Sequence, residues 1–276
     1  MSRTTSPGRS PSTNLWPVLW LLARAGLRER MQYKFSFLAS ALIRGASIAV
    51  DFALVAVILY RFRFVDGWDV FEVALLYGPA SAAQGLFRMV GYEIEGFENY
   101  LINGTFDSIL IRPWPTLFTL LARRMDFNRL GITAQGLVVC ALGAAKLVAR
   151  GQLQAWDLLY IALLPLFGAL VLLAVSTFTA ALGFWLIRID ELQVFTLYAP
   201  LTASYYPLSI YPGWLRGLLF TVIPMAFINY VPVLYLLGKG GGVWALAASP
   251  AVAAVACALA YRFWLFAERH YQSTGS

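Results

Sequence analysis

The sequence is short of charge, lysine, cysteine and histidine, and each shortage excludes a chemistry. Asp, Glu, Lys and Arg make up 13% of the 276 residues, about half the share usual in soluble domains, so the chain cannot clothe a water-soluble globule. A single histidine, His270, leaves no material for zinc sites or for Ser/His/Asp and Cys/His triads built on intramembrane histidine. The two cysteines, Cys140 and Cys257, sit inside apolar runs and read as small hydrophobes, not as a disulfide. Lys34, Lys146 and Lys239 are followed by Phe, Leu and Gly, so the Lys-Ser or Lys-Thr that completes a phosphate-cradling loop is missing. Neither a G-x-S-x-G elbow nor an H-E-x-x-H helix occurs. The expectation is a non-catalytic chain with no metal and no bound cofactor.

What is abundant is apolar sequence: 60% hydrophobic and 15% aromatic, gathered in blocks of about 20 residues. The fold class is therefore all-α and polytopic in the membrane. Residues 1–14, rich in Ser, Pro, Arg and Thr, read as a disordered tail, and 15–276 as a single transmembrane domain. Leu15–Leu27 is too short to span. It reads either as a secretory signal or, because Arg24, Arg28, Arg30 and Lys34 follow at once, as an amphipathic helix on the cytoplasmic surface.

Seven later stretches are candidates for immersion: Phe35–Tyr60, Val70–Tyr92, Gly131–Val148, Trp156–Ile187, Leu192–Tyr211, Trp214–Leu237 and Val243–Phe266. An odd number of crossings would place Arg262 and Arg269 outside, against the positive-inside rule. Trp214–Leu237 carries Arg216, Pro224, Asn229 and Pro232, and two prolines in so short a segment break it. The reading is a re-entrant outer pair closed by the Gly240-Gly241-Gly242 turn, leaving six spans and both termini in the cytoplasm. On that layout thirteen basic residues fall inside and six outside, with Arg44 and Arg88 within spans. Of those two, Arg88 is expected to snorkel or to meet Glu93 or Glu95.

The large loop, residues 93–130, begins with Glu93, Glu95 and Glu98 and ends with Arg123, Arg124 and Arg129. Short apolar pieces bounded by Pro113 and Pro115 predict short helices on the membrane face. Within the spans, Arg44 and Asp51 lie about 10 Å apart along one helix and nearly on one face. They are costly in hydrocarbon, and read either as a polar path lining or as structural partners of a neighbouring span. Tyr198, Tyr205 and Tyr206 offer aromatic faces with hydroxyl tips that suit amphipathic or cationic organic molecules, and suit an interfacial belt equally.

The order of parts resembles the membrane subunit of ABC exporters of the second type. The segment Gly104-Thr105-Phe106-Asp107-Ser108-Ile109-Leu110-Ile111-Arg112-Pro113 is similar to the Gly-x-Leu-Asp-x-x-Leu-x-Arg-Pro stretch of one bacterial permease subgroup, with Phe106 in place of Leu. The resemblance implies pairing with an identical or homologous permease and two copies of a separate ATPase that holds ATP and Mg. It implies a coupling helix in the 93–130 loop and a path lined by spans two and five, in the bacterial inner membrane. Gly104, Phe106, Asp107, Leu110, Arg112 and Pro113 would be the ATPase-facing residues, Gly104 permitting a tight turn and Asp107 capping the helix after it. The bilayer is the other expected partner, and no nucleic acid is expected. The rival readings are an ion-coupled secondary transporter, which would bring inverted repeats and several buried ionisable groups, and a non-transporting assembly subunit.

Overall fold

The first described helix starts where its sequence caps it. Asp69 accepts from the backbone N–H of Val70 at 2.7 Å, and Glu72 reaches back to the Asp69 N–H at 2.8 Å, a reciprocal capping box that opens α1, Val70–Val90. The computed structural model describes residues 67–271 together with five isolated helical positions between 39 and 50. The predicted tail, the Leu15–Leu27 helix and, apart from those positions, the Phe35–Tyr60 span lie outside the described residues, as do Arg44 and Asp51.

After α1 the 93–130 loop folds as short helices: α2 (Tyr92–Glu95), α3 (Phe97–Ile102), α4 (Asp107–Leu110) and α5 (Thr116–Arg123). Asp126 then accepts from the Asn128 N–H and from Arg129 Nε, and caps the run into α6, Leu130–Ala149. Next come α7 (Ala155–Leu186) and a composite helix made of α8 (Asp190–Gln193), a π-helical turn (Val194–Tyr198) and α9 (Ala199–Ser204). α10 (Gly213–Thr221), α11 (Tyr230–Leu236) and α12 (Trp244–Glu268) complete the chain.

The helical stretches 127–149, 155–186 and 244–268 are long and apolar enough to cross a membrane. At about 1.5 Å per residue α7 is roughly 48 Å long, more than the hydrocarbon core needs. α1 is long enough but carries Glu72, Gln84 and Arg88. Fourteen of its 21 residues are buried, which makes it the central helix, its polar groups facing protein instead of lipid. It packs against α6 backbone to backbone. A Cβ on Gly78 would stand 2.6 Å from Cys140 Cβ, on Gly85 2.3 Å from Thr133 Oγ1, on Gly136 2.5 Å from the Ala82 nitrogen and on Gly143 2.9 Å from Ala74 Cβ. Two glycines seven residues apart on each helix remove the side chains that would hold the backbones apart.

The expected break in 214–237 is present. α10 and the 225–236 stretch meet at 75°, around Pro224. Tyr230, at one end of the second arm, packs on Trp68 at 5.9 Å, and Lys239, just beyond the other end, donates to the Gly67 carbonyl at 2.6 Å. Two points along that arm thus meet the chain just before α1. The fully buried Asn229 stitches the break to the bundle, donating from Nδ2 to the carbonyls of Leu76 and Ser204, both at 2.7 Å.

The stretch expected to run helically from Leu192 to Tyr211 is shorter in the structure. The composite helix ends at Ser204, because Tyr206 precedes Pro207 and cannot easily hold helical backbone.

Candidate functional site at the loop end of the helices

At one end of the bundle, carboxylates and bases pair off: Arg150 with Asp69, and Lys239 Nζ with Glu72 at 2.8 Å. The other end, where the 93–130 loop packs, is organised differently, around an aromatic cluster. Phe106 is fully buried, with Phe97 at 5.3 Å, Phe184 at 5.3 Å and Tyr271 at 5.1 Å, and Trp264 closes the group at 4.9 Å from Phe97. Trp264 Nε1 donates to Thr116 Oγ1 at 3.0 Å, and that hydroxyl donates to Glu268 at 2.9 Å. The loop is thereby wedged against the ends of α7 and α12.

This geometry revises two expectations about the 104–113 segment. Phe106 was expected on the ATPase-facing surface; it is instead the buried anchor, because its large ring is worth most inside the aromatic cluster. Asp107 was expected to cap; it is the first residue of α4, and Phe106 occupies the cap position with no side-chain bond. The Asp107 carboxylate adjoins Tyr271, whose phenol is pushed up to about 12, first by burial and then by that carboxylate. Gly104 does make the expected turn, at φ +64°. Leu110, Arg112 and Pro113 are exposed, and between them Ile111, which sequence reading did not single out, is 85% exposed.

The loop also grips the composite helix. Glu98 of α3 accepts from the backbone N–H groups of Ile189 at 2.6 Å and Asp190 at 2.9 Å, capping that helix from outside its own chain segment. Gln193 donates to the Glu95 carbonyl at 3.0 Å, and Tyr198 of the π-turn donates its hydroxyl to the Glu95 carboxylate, which also pairs with Arg88 at 3.3 Å. Just before these contacts Ile187 sits at φ 64°, ψ −57°, a γ-turn conformation that β-branched residues avoid. One strained joint therefore separates α7 from a helix held by the loop.

Of the tyrosines expected on a path, Tyr198 is held as described and Tyr205 packs on Tyr77 at 4.8 Å and donates to Gln84 at 3.0 Å. Tyr206 is half-buried against the same core. A separate apolar groove of about 640 Å³ runs between α7, α12 and the bend after α10, walled by Phe178, Thr179, Thr196, Phe220, Phe227 and Val255. Sequence reading missed it, as it missed Glu98 and Gln193. The signal available was the spacing of Glu95 and Glu98 about the buried Ile94 and Phe97 in two short helices.

Helices of membrane-crossing length and a bent pair are the build of an integral membrane protein. The chain belongs to the family described as ABC-2 family transporter protein, which it matches over residues 46–275. No curated protein matches the sequence.

Proposed function

We propose that the chain is the transmembrane subunit of an ATP-driven exporter, which pairs with an identical or homologous permease and is driven by two copies of a separate ATPase holding ATP and Mg. It crosses a bacterial inner membrane six times with both termini in the cytoplasm, and moves an amphipathic or hydrophobic organic substrate. The observation that carries this reading is the two-sided build of the 104–113 segment: Phe106 is locked into the ends of α7 and α12, while Leu110-Ile111-Arg112-Pro113 is left exposed. A hydrophobic and cationic tip on a rigid base is what a push from a soluble partner needs, since packed elements pass displacement on instead of absorbing it. The Glu98 and Glu95 contacts would carry that displacement to the composite helix, which bears Tyr198 and leads directly into Tyr205 and Tyr206, so that the three tyrosines would line the path beside α1. Arg44 and Asp51 would add its charged lining.

The test is an Ile111→Asp, Arg112→Ala double change, which leaves Phe106 and every span untouched. The expected outcome is normal membrane insertion with loss of ATPase co-purification, or of ATP-driven export in sealed vesicles, by tenfold or more. Full complex formation with full export would place the drive elsewhere.

A further inference from the structure

Of the helices long and apolar enough to cross a membrane, α12 is the least buried, and its outward face changes character along its length. Val255, Leu259, Arg262, Phe266 and Arg269 follow one another at spacings of four and three, so they form one stripe, and all five are exposed. The first two wall the apolar groove of about 640 Å³ between α7, α12 and the bend after α10. The last three lie beyond it, toward the loop end. α7 repeats the change: Phe178 walls the groove, and Trp185, seven residues on and exposed, stands past it. Aromatic rings join the two regions. Phe178 stacks on Phe263 at 4.3 Å, Phe263 meets Trp185 at 6.0 Å, and Trp185 and Phe266 flank the His270 ring at 5.6 Å and 4.6 Å.

Beyond the groove the stripe carries charge of one sign. Among the described residues neither Arg262 nor Arg269 has an ion-pair partner. The acid of this helix end, Glu268, turns to the opposite face, where the Thr116 hydroxyl donates to it at 2.9 Å. Two unpaired guanidiniums thus stand among exposed rings at the mouth of an apolar slot. At the rim of a bilayer that combination matches a molecule with an anionic head and a hydrocarbon tail. The depth matches as well. From Ala251, at the groove's far end, to Arg262 the helix rises about 16 Å, close to the ~15 Å of hydrocarbon in one leaflet. A headgroup held at the arginines therefore lets its own tail fill the groove.

We propose that this face of α7 and α12 is a binding site for one anionic phospholipid, its phosphate set against Arg262 and Arg269 and an acyl chain laid along Phe178, Val255 and Leu259. A free phosphate would use the arginines alone and leave the groove uncovered. The proposal goes beyond the exporter reading and does not depend on it: the lipid bridges the two helices two residues before the Ile187 joint, whatever drives the chain.

The probe is dioleoylphosphatidylglycerol, titrated against the purified full-length chain in detergent and counted by native mass spectrometry. Dioleoylphosphatidylcholine, with the same tails and no net charge, is the control. The wild-type chain should bind one phosphatidylglycerol at least tenfold more tightly than phosphatidylcholine, a comparison that needs no variant. An Arg262→Gln, Arg269→Gln double variant should lose the preference, and the double change to Lys, which keeps the charge, should retain at least a threefold one. Val255→Trp, which fills the groove without touching a charge, should weaken phosphatidylglycerol binding at least fivefold. Arg216→Gln, a change at another exposed base, should stay within twofold of wild type. Equal affinity of the wild type for the two lipids is what an ordinary interfacial belt gives, and overturns the site. A preference that survives in the double Gln variant overturns it too, and binding untouched by Val255→Trp overturns the seated tail on which the site depends. Co-purification with the ATPase is read on separate samples, so failure of the lipid site leaves the exporter reading standing, and the reverse.

Discussion

At the scale of single residues, the joint between α7 and the composite helix sets a strained backbone beside a charged clamp. Ile187 holds a positive φ that a β-branched side chain resists, at a cost of about 1–3 kcal/mol, and glycine adopts the same conformation freely. Ile187→Gly should therefore raise the unfolding midpoint of the purified protein, equivalent to about 1 kcal/mol; a lowered midpoint would show that the side chain stabilises the joint. Glu98→Ala acts in the opposite direction. It strips two backbone N–H groups of a charged acceptor, a loss of about 1.5–3 kcal/mol, and should leave ATP hydrolysis running while export in vesicles falls. Neither residue was legible as functional in the sequence. Glu98 is one acid among three at the loop's start, and only the fold brings it to Ile189, 91 positions later. The strain at Ile187 leaves no compositional trace at all.

Whole elements were more legible, because periodicity and breakers act locally. The apolar blocks that contain α6, α7 and α12 were bounded within a residue or two of the helices at most ends, and the bend after α10 follows from Pro224, whose missing N–H and fixed φ end the helix wherever the rest of the chain goes. Hydrophobicity alone overstates the composite helix, because apolar sequence continues past Ser204 although helical backbone does not. Hidden altogether was the interlock of α1 with α6. Glycines seven apart are ordinary in apolar sequence, and only the partner helix shows that Gly136 faces the backbone of Ala82. That contact makes a sharp prediction. Gly136→Val places a branched side chain where even a Cβ would stand 2.5 Å from a backbone nitrogen, so the helices must separate. The expected result is a large loss of folded, monodisperse protein in detergent extracts. By contrast Gly217→Ala, where a Cβ meets nothing within 4 Å, should match wild type. Normal yield from Gly136→Val would mean that α1 and α6 are not packed this closely.

For the molecule as a whole, the contacts fix which ends of the helices lie together, and charge then suggests which end faces the cytoplasm. Asp69 at the start of α1 meets Arg150 at the end of α6, and the Gly-rich turn before α12 sends Lys239 to Glu72, so these termini share one end. Phe106, Phe184 and Trp264 gather the loop, the end of α7 and the end of α12 at the other. At the first end Arg150 and Lys239 are matched by carboxylates, and Lys146 and Arg216 are the other exposed bases. At the loop end Arg112, Arg123, Arg124, Arg188, Arg262 and Arg269 are all exposed, the larger share of basic residues, and the positive-inside rule then predicts that this end faces the cytoplasm. In a Cys257→Ala background, with Cys140 buried, a membrane-impermeant maleimide added to intact cells should label Gln152→Cys, on the exposed turn between α6 and α7. It should miss Ser108→Cys, on the exposed face of α4, until the membrane is opened. Labelling of Ser108→Cys alone would turn the protein over, put the Leu110–Pro113 tip outside the cell beyond reach of any ATPase, and with it remove the mechanical basis of the exporter.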